Sequence, residues 1–301
     1  MSTILITGGS GMIGTALTRT LREAGHTVRH LSRTAGFHDG VNAYAWNIEQ
    51  GTLDERALEN VEHIVHLAGA GIADQRWTDA RIKILIDSRC ASARLLLEKV
   101  RSSGTVIKSF VSAAGINYYG AETSDHIYSE TDPPGPDTIA RISVAWEEAV
   151  DEWASHCRVV KLRTPIVLSP NGGALQKLAV PVRWGLGSPL GSGEQWVPWI
   201  HINDLVRIYQ QAILQEDMEG AYNVNTGFDV TNADLMRTIA QVLGKAYFLP
   251  RIPSLLLKAI LGESSSVLLE GSRASNTRLM ATDLAFEFPT LKEALINLLD
   301  R

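Results

Sequence analysis

Strand-like and helix-like spacings of apolar residues alternate along the first half of the chain. Ile4, Leu5 and Ile6 form a short apolar run with β-branched ends, the mark of a buried parallel strand. Ile13, Leu17, Leu21 and Ala24 then recur at helical spacing, and Gly25 is a natural terminator. Residues 26–33 predict a second strand, 53–58 a short helix and 61–70 a third strand that ends in small residues. A long helix is expected over 78–100, with Ile82, Ile86, Ala93 and Leu97 among its apolar positions, followed by a strand over 106–113. The stretches 34–51 and 117–138 read as polar and irregular, and a helix over 139–154 and a strand over 158–162 complete a further repeat. Such alternation predicts an α/β fold with a doubly wound parallel sheet.

The pattern changes after Thr164. Asn171-Gly172-Gly173 breaks the chain, and a glycine-rich run from Gly185 to Gly193 is flanked by Trp184, Trp196 and Trp199. Stretches of this kind line binding pockets or simply cover a core, and both readings stand. His201-Ile202-Asn203-Asp204-Leu205 opens a helix with Asn203 or Asp204 as its expected cap, residues 222–226 read as a strand, and Thr231 or Asn232 caps a helix to Leu243. Residues 250–301 read as mainly helical. The expected division is a nucleotide domain of 1–167 with about 201–244, and a smaller cover lobe of 172–200 with 245–301.

The candidate chemistry begins in the first turn. Gly8, Gly11 and Gly14 lie between the first strand and first helix, where a glycine turn admits a pyrophosphate to free N–H groups at a helix N-terminus. Gly8 permits the tight turn, Gly11 the approach of the phosphates, and Gly14 the packing of helix on strand; Met12 and Ile13 sit in the same turn. About twenty residues further on, an NAD-binding unit places an acid on the ribose hydroxyls. Ser32 and Arg33 stand there, and a hydroxyl with a guanidinium suits a 2′-phosphate better than it suits a bare ribose. A solvated surface arginine is the bland alternative; NADP(H) is the expected cofactor.

Bulk properties exclude several classes. The chain has 301 residues, 45% hydrophobic and 20% charged, the proportions of an ordinary globular protein. A net charge of −5 argues against broad binding to nucleic acid or anionic membrane. No apolar run of about eighteen residues is present, and the first strand starts too early to leave room for a signal peptide. Cys90 and Cys157 lie far apart without metal-ligand spacing, as expected of packing residues in a reducing cytoplasm. His63 and His66 fall on opposite faces of one strand, which disfavours a shared metal. The expected partner is a small molecule.

Several longer motifs carry a resemblance. Thr7-Gly8-Gly9-Ser10-Gly11-Met12-Ile13-Gly14, Leu67-Ala68-Gly69 and Tyr222-Asn223-Val224-Asn225-Thr226-Gly227 resemble the extended short-chain dehydrogenase/reductases. Gln75-Arg76-Trp77, Asp87-Ser88-Arg89, Trp146-Glu147, residues 185–193, residues 199–205 and Leu268-Leu269-Glu270-Gly271 are similar to the atypical "epimerase family" branch, sometimes misnamed cell-division inhibitors, with its C-terminal domain of unknown function. The resemblance spans essentially the whole chain. It implies a Rossmann-like sheet holding NADP(H) and a C-terminal lobe closing over a substrate. It places Ser32 and Arg33 on the 2′-phosphate, Leu67, Ala68 and Gly69 along the adenosine side, Arg89 toward the phosphates and Val167 near the nicotinamide.

The catalytic pattern of the wider superfamily is a Tyr with a Lys four residues later and a hydroxyl at a strand end. Counting back from Glu147, Ser143 stands at the Lys position and Ile139 at the Tyr position, and neither can move a proton. Ala114 occupies the usual strand-end hydroxyl position, with Ser112 two residues earlier. The substitute candidates are Ser112, Tyr118, Tyr119 and His201, the histidine because imidazole titrates near neutral pH. The expectation is an NADP(H)-dependent oxidoreductase or epimerase of small scope; the competing expectation is a non-catalytic NADP(H)-binding redox sensor or scaffold.

Overall fold

The computed structural model describes residues 1–299. In chain order the strands are β1 (Thr3–Thr7), β2 (Thr27–Ser32), β3 (Gly36–His38), β4 (Val41–Asn47), β5 (Thr52–Leu53), β6 (His63–His66), β7 (Ser109–Gly115), β8 (Ile127–Tyr128), β9 (Arg158–Thr164), β10 (Ile166–Leu168), β11 (Trp199–His201), β12 (Gly220–Asn223) and β13 (Arg273–Ala274). The α-helices are α1 (Met12–Glu23), α2 (Asp79–Ser103), α3 (Thr138–Asp151), α4 (Gly173–Arg183), α5 (Ile202–Leu214), α6 (Asn232–Val242), α7 (Ser254–Leu261), α8 (Ser266–Leu269), α9 (Thr277–Met280) and α10 (Leu291–Leu299).

The central sheet runs β12-β9-β7-β6-β1-β2-β4-β3. It is parallel from β12 to β4, with β3 and β5 antiparallel against β4. From β1 the chain steps through α1 to β2 on one side, whereas β6, β7 and β9 step the opposite way through α2 and α3. Right-handed crossovers therefore put α1 on one face of the sheet and α2 and α3 on the other. Helix α5 packs on α1, and α2 on α3. With both faces covered, the strand centres are apolar: Ile4, Leu5, Ile6, Ile64, Val65, Phe110 and Val111 are fully buried. The strand order reverses between β1 and β6, and in such sheets ligands bind at that point, beyond the carboxyl ends of the strands.

Two expectations need correction here. Residues 34–51 are not irregular: β3 and β4 extend the sheet beyond β2, with Arg29 opposite Asn42 and Leu31 opposite Tyr44. Asn42 and Asn47 dilute the apolar pattern of β4, so periodicity alone misses it. The helix after β11 is capped by His201, not Asn203 or Asp204: the His201 Nδ1 accepts the Asn203 N–H at 3.0 Å. Asp204 instead accepts the N–H groups of Glu287 and Phe288, tying the C-terminal segment to α5. Thr231 caps α6 in a reciprocal box with Asp234.

β10 and β11 form a separate parallel pair, and α4, α6 and α10 pack together beside it. β13 pairs with β8 inside the 117–138 stretch, so the C-terminal segment crosses back over the loop that follows β7.

Candidate functional site

A cleft of about 1250 Å³ opens where the strand order reverses, lined on one side by Gly8, Gly9 and Ser10 and on the other by Ala68, Gly69 and Ala70. Its floor continues past His30 to Ser32 and Arg33 at the end of β2. The sequence-predicted glycine turn, the small residues after β6 and the Ser32–Arg33 pair thus share one cavity.

The turn leaves no room for side chains. Gly8 has φ +69°, and a Cβ there would stand 3.0 Å from the Leu67 carbonyl. A Cβ on Gly14 would lie 2.6 Å from the Gly9 Cα, so this glycine lets α1 pack on the glycine turn itself rather than on the strand. Gly11 is the N-cap of α1 and offers no side-chain hydrogen bond to the helix, and the first turn carries no acid. The N–H groups of that turn are therefore available to an anion, aligned with the positive end of the helix dipole. Thr7 shapes the other wall: its hydroxyl accepts the N–H groups of Leu67 and Ala68 at 3.1 and 3.0 Å. Met12 and Val167 both lie beside Gly173 and are not among the residues lining the cleft: a Cβ on Gly173 would lie 3.1 Å from the Met12 sulfur and 3.5 Å from the Val167 oxygen. Ile13 turns inward and packs against the core.

Arg33 is exposed and has no carboxylate partner among the described residues. Two lining groups were not foreseen. His30 lies under Gly9, where any Cβ would strike its ring, and its Nε2 pairs with the Thr18 hydroxyl at 2.8 Å. Arg19 lines the cleft from α1. The fourth glycine of the turn was the available signal for His30; for Arg19 it was the helical position two turns beyond Gly11. The cradle fits a dinucleotide with an extra phosphate on the adenosine ribose.

Arg89 lies behind the Gly69–Ala70 wall of the cleft. It is buried, donating to the Leu85 and Ala70 carbonyls at 2.9 Å each and lying over the Trp146 ring. It supports the loop from beneath, since a Cβ on Gly69 would lie 3.0 Å from its guanidinium carbon. Burial lowers its pKa to about 10.

The substitute proton donors are mostly committed elsewhere. Ser112 is fully buried on β7; its hydroxyl donates to the Ala113 carbonyl at 2.8 Å and lies 3.4 Å from His66 Nδ1. His201 is 1% exposed, with Nδ1 spent on the helix cap and the ring against Phe288 at 3.9 Å. Burial holds its pKa down to about 4, so it is neutral where a general acid must be charged. Tyr119 is 1% exposed, and its hydroxyl shares one proton between the Ser129 carbonyl and Asn223 Oδ1 while accepting from Arg163 at 2.8 Å. Burial pushes this phenol up to about 12 despite the Arg163 charge. Ser112, Tyr119 and His201 are thus buried and hydrogen-bonded within the protein.

Arg163 organises this region. It meets Glu147 through two bonds of 2.7 and 3.0 Å, both side chains being buried. Its guanidinium stacks on the Tyr118 ring at 3.6 Å. Tyr118 is half-buried, and its hydroxyl bonds no protein group among the described residues, which leaves it as the one candidate with a free phenol. Ile139 and Ser143 are buried on α3, and the Ser143 hydroxyl donates back to the Ile139 carbonyl at 3.0 Å.

A doubly wound sheet with a glycine cradle at its switch point defines a dinucleotide-binding protein. The chain belongs to the NAD dependent epimerase/dehydratase family, whose model matches residues 4–225, and residues 252–298 match a domain of unknown function, DUF1731. An epimerase family protein of Mycobacterium bovis, Mb2239, is 36% identical over 97% of this chain and 96% of its own length. The human epimerase family protein SDR39U1, crystallised with NADPH, superposes with a TM-score of 0.88 at 31% identity, covering 99% of each chain. A nucleoside-diphosphate sugar epimerase from Corynebacterium glutamicum gives 0.81 at 27% identity over 99% of this chain and 58% of that one.

Proposed function

We propose that the chain binds NADP(H) in the cleft at the switch point and acts as an oxidoreductase or epimerase on a small molecule. The observation that carries this reading is the convergence of Gly8, Gly9, Ser32 and Arg33 on one cavity, and the NADPH of the human relative supports it. Bound there, the nicotinamide would supply hydride transfer. The chain's own part is to hold the pyrophosphate on the N–H groups of α1, to clasp the 2′-phosphate between Ser32 and Arg33, and to place Met12 and Val167 at the opposite end. Residues 172–200 and 245–301 close over that end. Tyr118 is the group left to deliver or accept a proton. Two free thiols fit a cytoplasmic setting.

A second reading is supported by a specific observation. Ile139 and Ser143 fill the positions of a Tyr/Lys pair, and Tyr119 and Arg163 are locked in a buried network, as suits a non-catalytic NADP(H) sensor. Once a turnover assay exists, the enzyme reading expects Tyr118→Phe to abolish it while sparing NADPH affinity.

Hydrogen exchange tests the cofactor assignment without a substrate. A ligand present at a hundred times its dissociation constant stabilises the folded state by about 2.7 kcal/mol. With NADPH, protection should be strongest at residues 8–14 and 32–33 and weaker at 185–193. Protection confined to the last fifty residues would put the nucleotide in the other half of the molecule.

A further inference from the structure

The net charge of −5 hides a region of opposite sign. Residues 171–193 and 244–262 contain no Asp or Glu, yet carry Lys177, Arg183, Lys245, Arg251 and Lys258. All five cations are exposed, and none is ion-paired among the described residues. The two stretches lie side by side. Leu190 bridges Ile252 in parallel, the Gly191 N–H and the Ser188 hydroxyl donate to the carbonyls of Ile252 and Pro250, and Tyr247 lies against Gly187.

Their apolar side chains point into solvent. Trp184 is 80% exposed, Phe248 76% and Leu255 78%, and Leu186, Leu256 and Ile260 are each more than half exposed. Helix α7, Ser-Leu-Leu-Leu-Lys-Ala-Ile-Leu, buries no residue at all. Short helices normally owe their stability to packing an apolar face, so a leucine-rich one with no fully buried residue calls for an occupant. An aromatic and leucine-rich ribbon that carries five cations, with acids only at its C-terminal borders (Glu194 and Glu263), has the chemistry of interfacial membrane binding. The rings and leucines enter the acyl boundary, and the cations meet headgroup phosphates. A second copy fits worse, because a two-fold contact would set these cations against their own copies.

We propose that this ribbon docks the protein on an anionic lipid bilayer. The C-terminal end of α7 rests on Arg76, whose Nη2 donates to the Ala259 carbonyl at 3.3 Å. Arg76 directly follows Asp74 and Gln75, which line the cleft. Docking would hold one rim of the cleft beside the membrane surface.

The test is flotation of the full chain with vesicles of phosphatidylcholine alone or mixed with phosphatidylglycerol. Binding is expected only to the anionic vesicles and should weaken with salt. The triple variant Lys245→Gln, Arg251→Gln and Lys258→Gln should bind about a hundredfold more weakly, at roughly fivefold per cation. Trp184→Ser with Phe248→Ser and Leu255→Ser should also release the protein while leaving its urea midpoint unchanged, since these side chains are exposed. Absent binding, or equal binding to both vesicle types that the triple variant does not alter, would overturn the proposal. A concentration-dependent dimer dispersed by the serine variant, without vesicle binding, would overturn it too and assign the ribbon to a second copy.

Discussion

Replacing Tyr119 by Phe separates a structural phenol from a catalytic one. The substitution keeps the ring, which stacks on Tyr128 at 4.8 Å, and removes only the hydroxyl. Arg163 then loses an acceptor at 2.8 Å, and Asn223 Oδ1, which lies in a fully buried side chain, loses a donor at 2.8 Å. A hydrogen bond to a charged group is worth about 1.5–3 kcal/mol, and a buried polar atom left unpaired costs about 1–3 kcal/mol. Removing a hydroxyl that folding had to desolvate offsets part of this, leaving a net loss of about 2–3 kcal/mol. Urea unfolding should show a lower midpoint at an unchanged slope, while calorimetry shows NADPH affinity within twofold of the parent. Stability within about 0.5 kcal/mol of the parent would refute the reasoning, because surface-like changes stay inside that range.

Three further outcomes are expected. Gly14→Ala places a methyl 2.6 Å from the Gly9 Cα, so the turn must open; a stability loss of about 1–3 kcal/mol in thermal unfolding and at least tenfold weaker NADPH binding are expected. Gly11→Ala meets only the Gly8 oxygen at 3.2 Å and should be milder in stability. Acid should destabilise the protein before the carboxylates titrate. Burial lowers His63 to about 4, His66 to about 3 and His201 to about 4, whereas unfolded histidine titrates near 6.5. Between those values the unfolded state holds more protons, so the stability present above about pH 6.5 is lost progressively as pH falls toward 4. A urea midpoint unchanged between pH 7 and pH 5 would contradict this.

Much of the nucleotide half was legible because its signals are local. A glycine at φ +69°, a strand buried on both faces and a helix ended by glycine each leave a mark within a few residues. Features that depend on distant segments were less legible for the opposite reason. His201 caps α5 although Asn203 and Asp204 are better capping residues by type, because Asp204 is held by N–H groups more than eighty residues away. Tyr119 looked like a free phenol until Asn223, over a hundred positions later, folded onto it. The spacing of Arg89 on α2 gave no hint that Ala70 and Trp146 would enclose it. The whole-chain charge of −5 likewise averages over a cationic stretch, in which residues 244–262 lie beside residues 184–191.

The central claim is that Ser32 and Arg33 make this cleft an NADP(H) site. Calorimetric titration of the parent and of Arg33→Ala with NADPH and NADH tests it most directly. Arg33 is exposed, so its charged bonds to a 2′-phosphate are discounted for screening to about 1–2 kcal/mol, or roughly five- to thirtyfold in affinity. The parent should prefer NADPH, and the variant should lose that much of the preference with NADH binding unchanged. Equal affinities of the parent for the two dinucleotides would contradict the account.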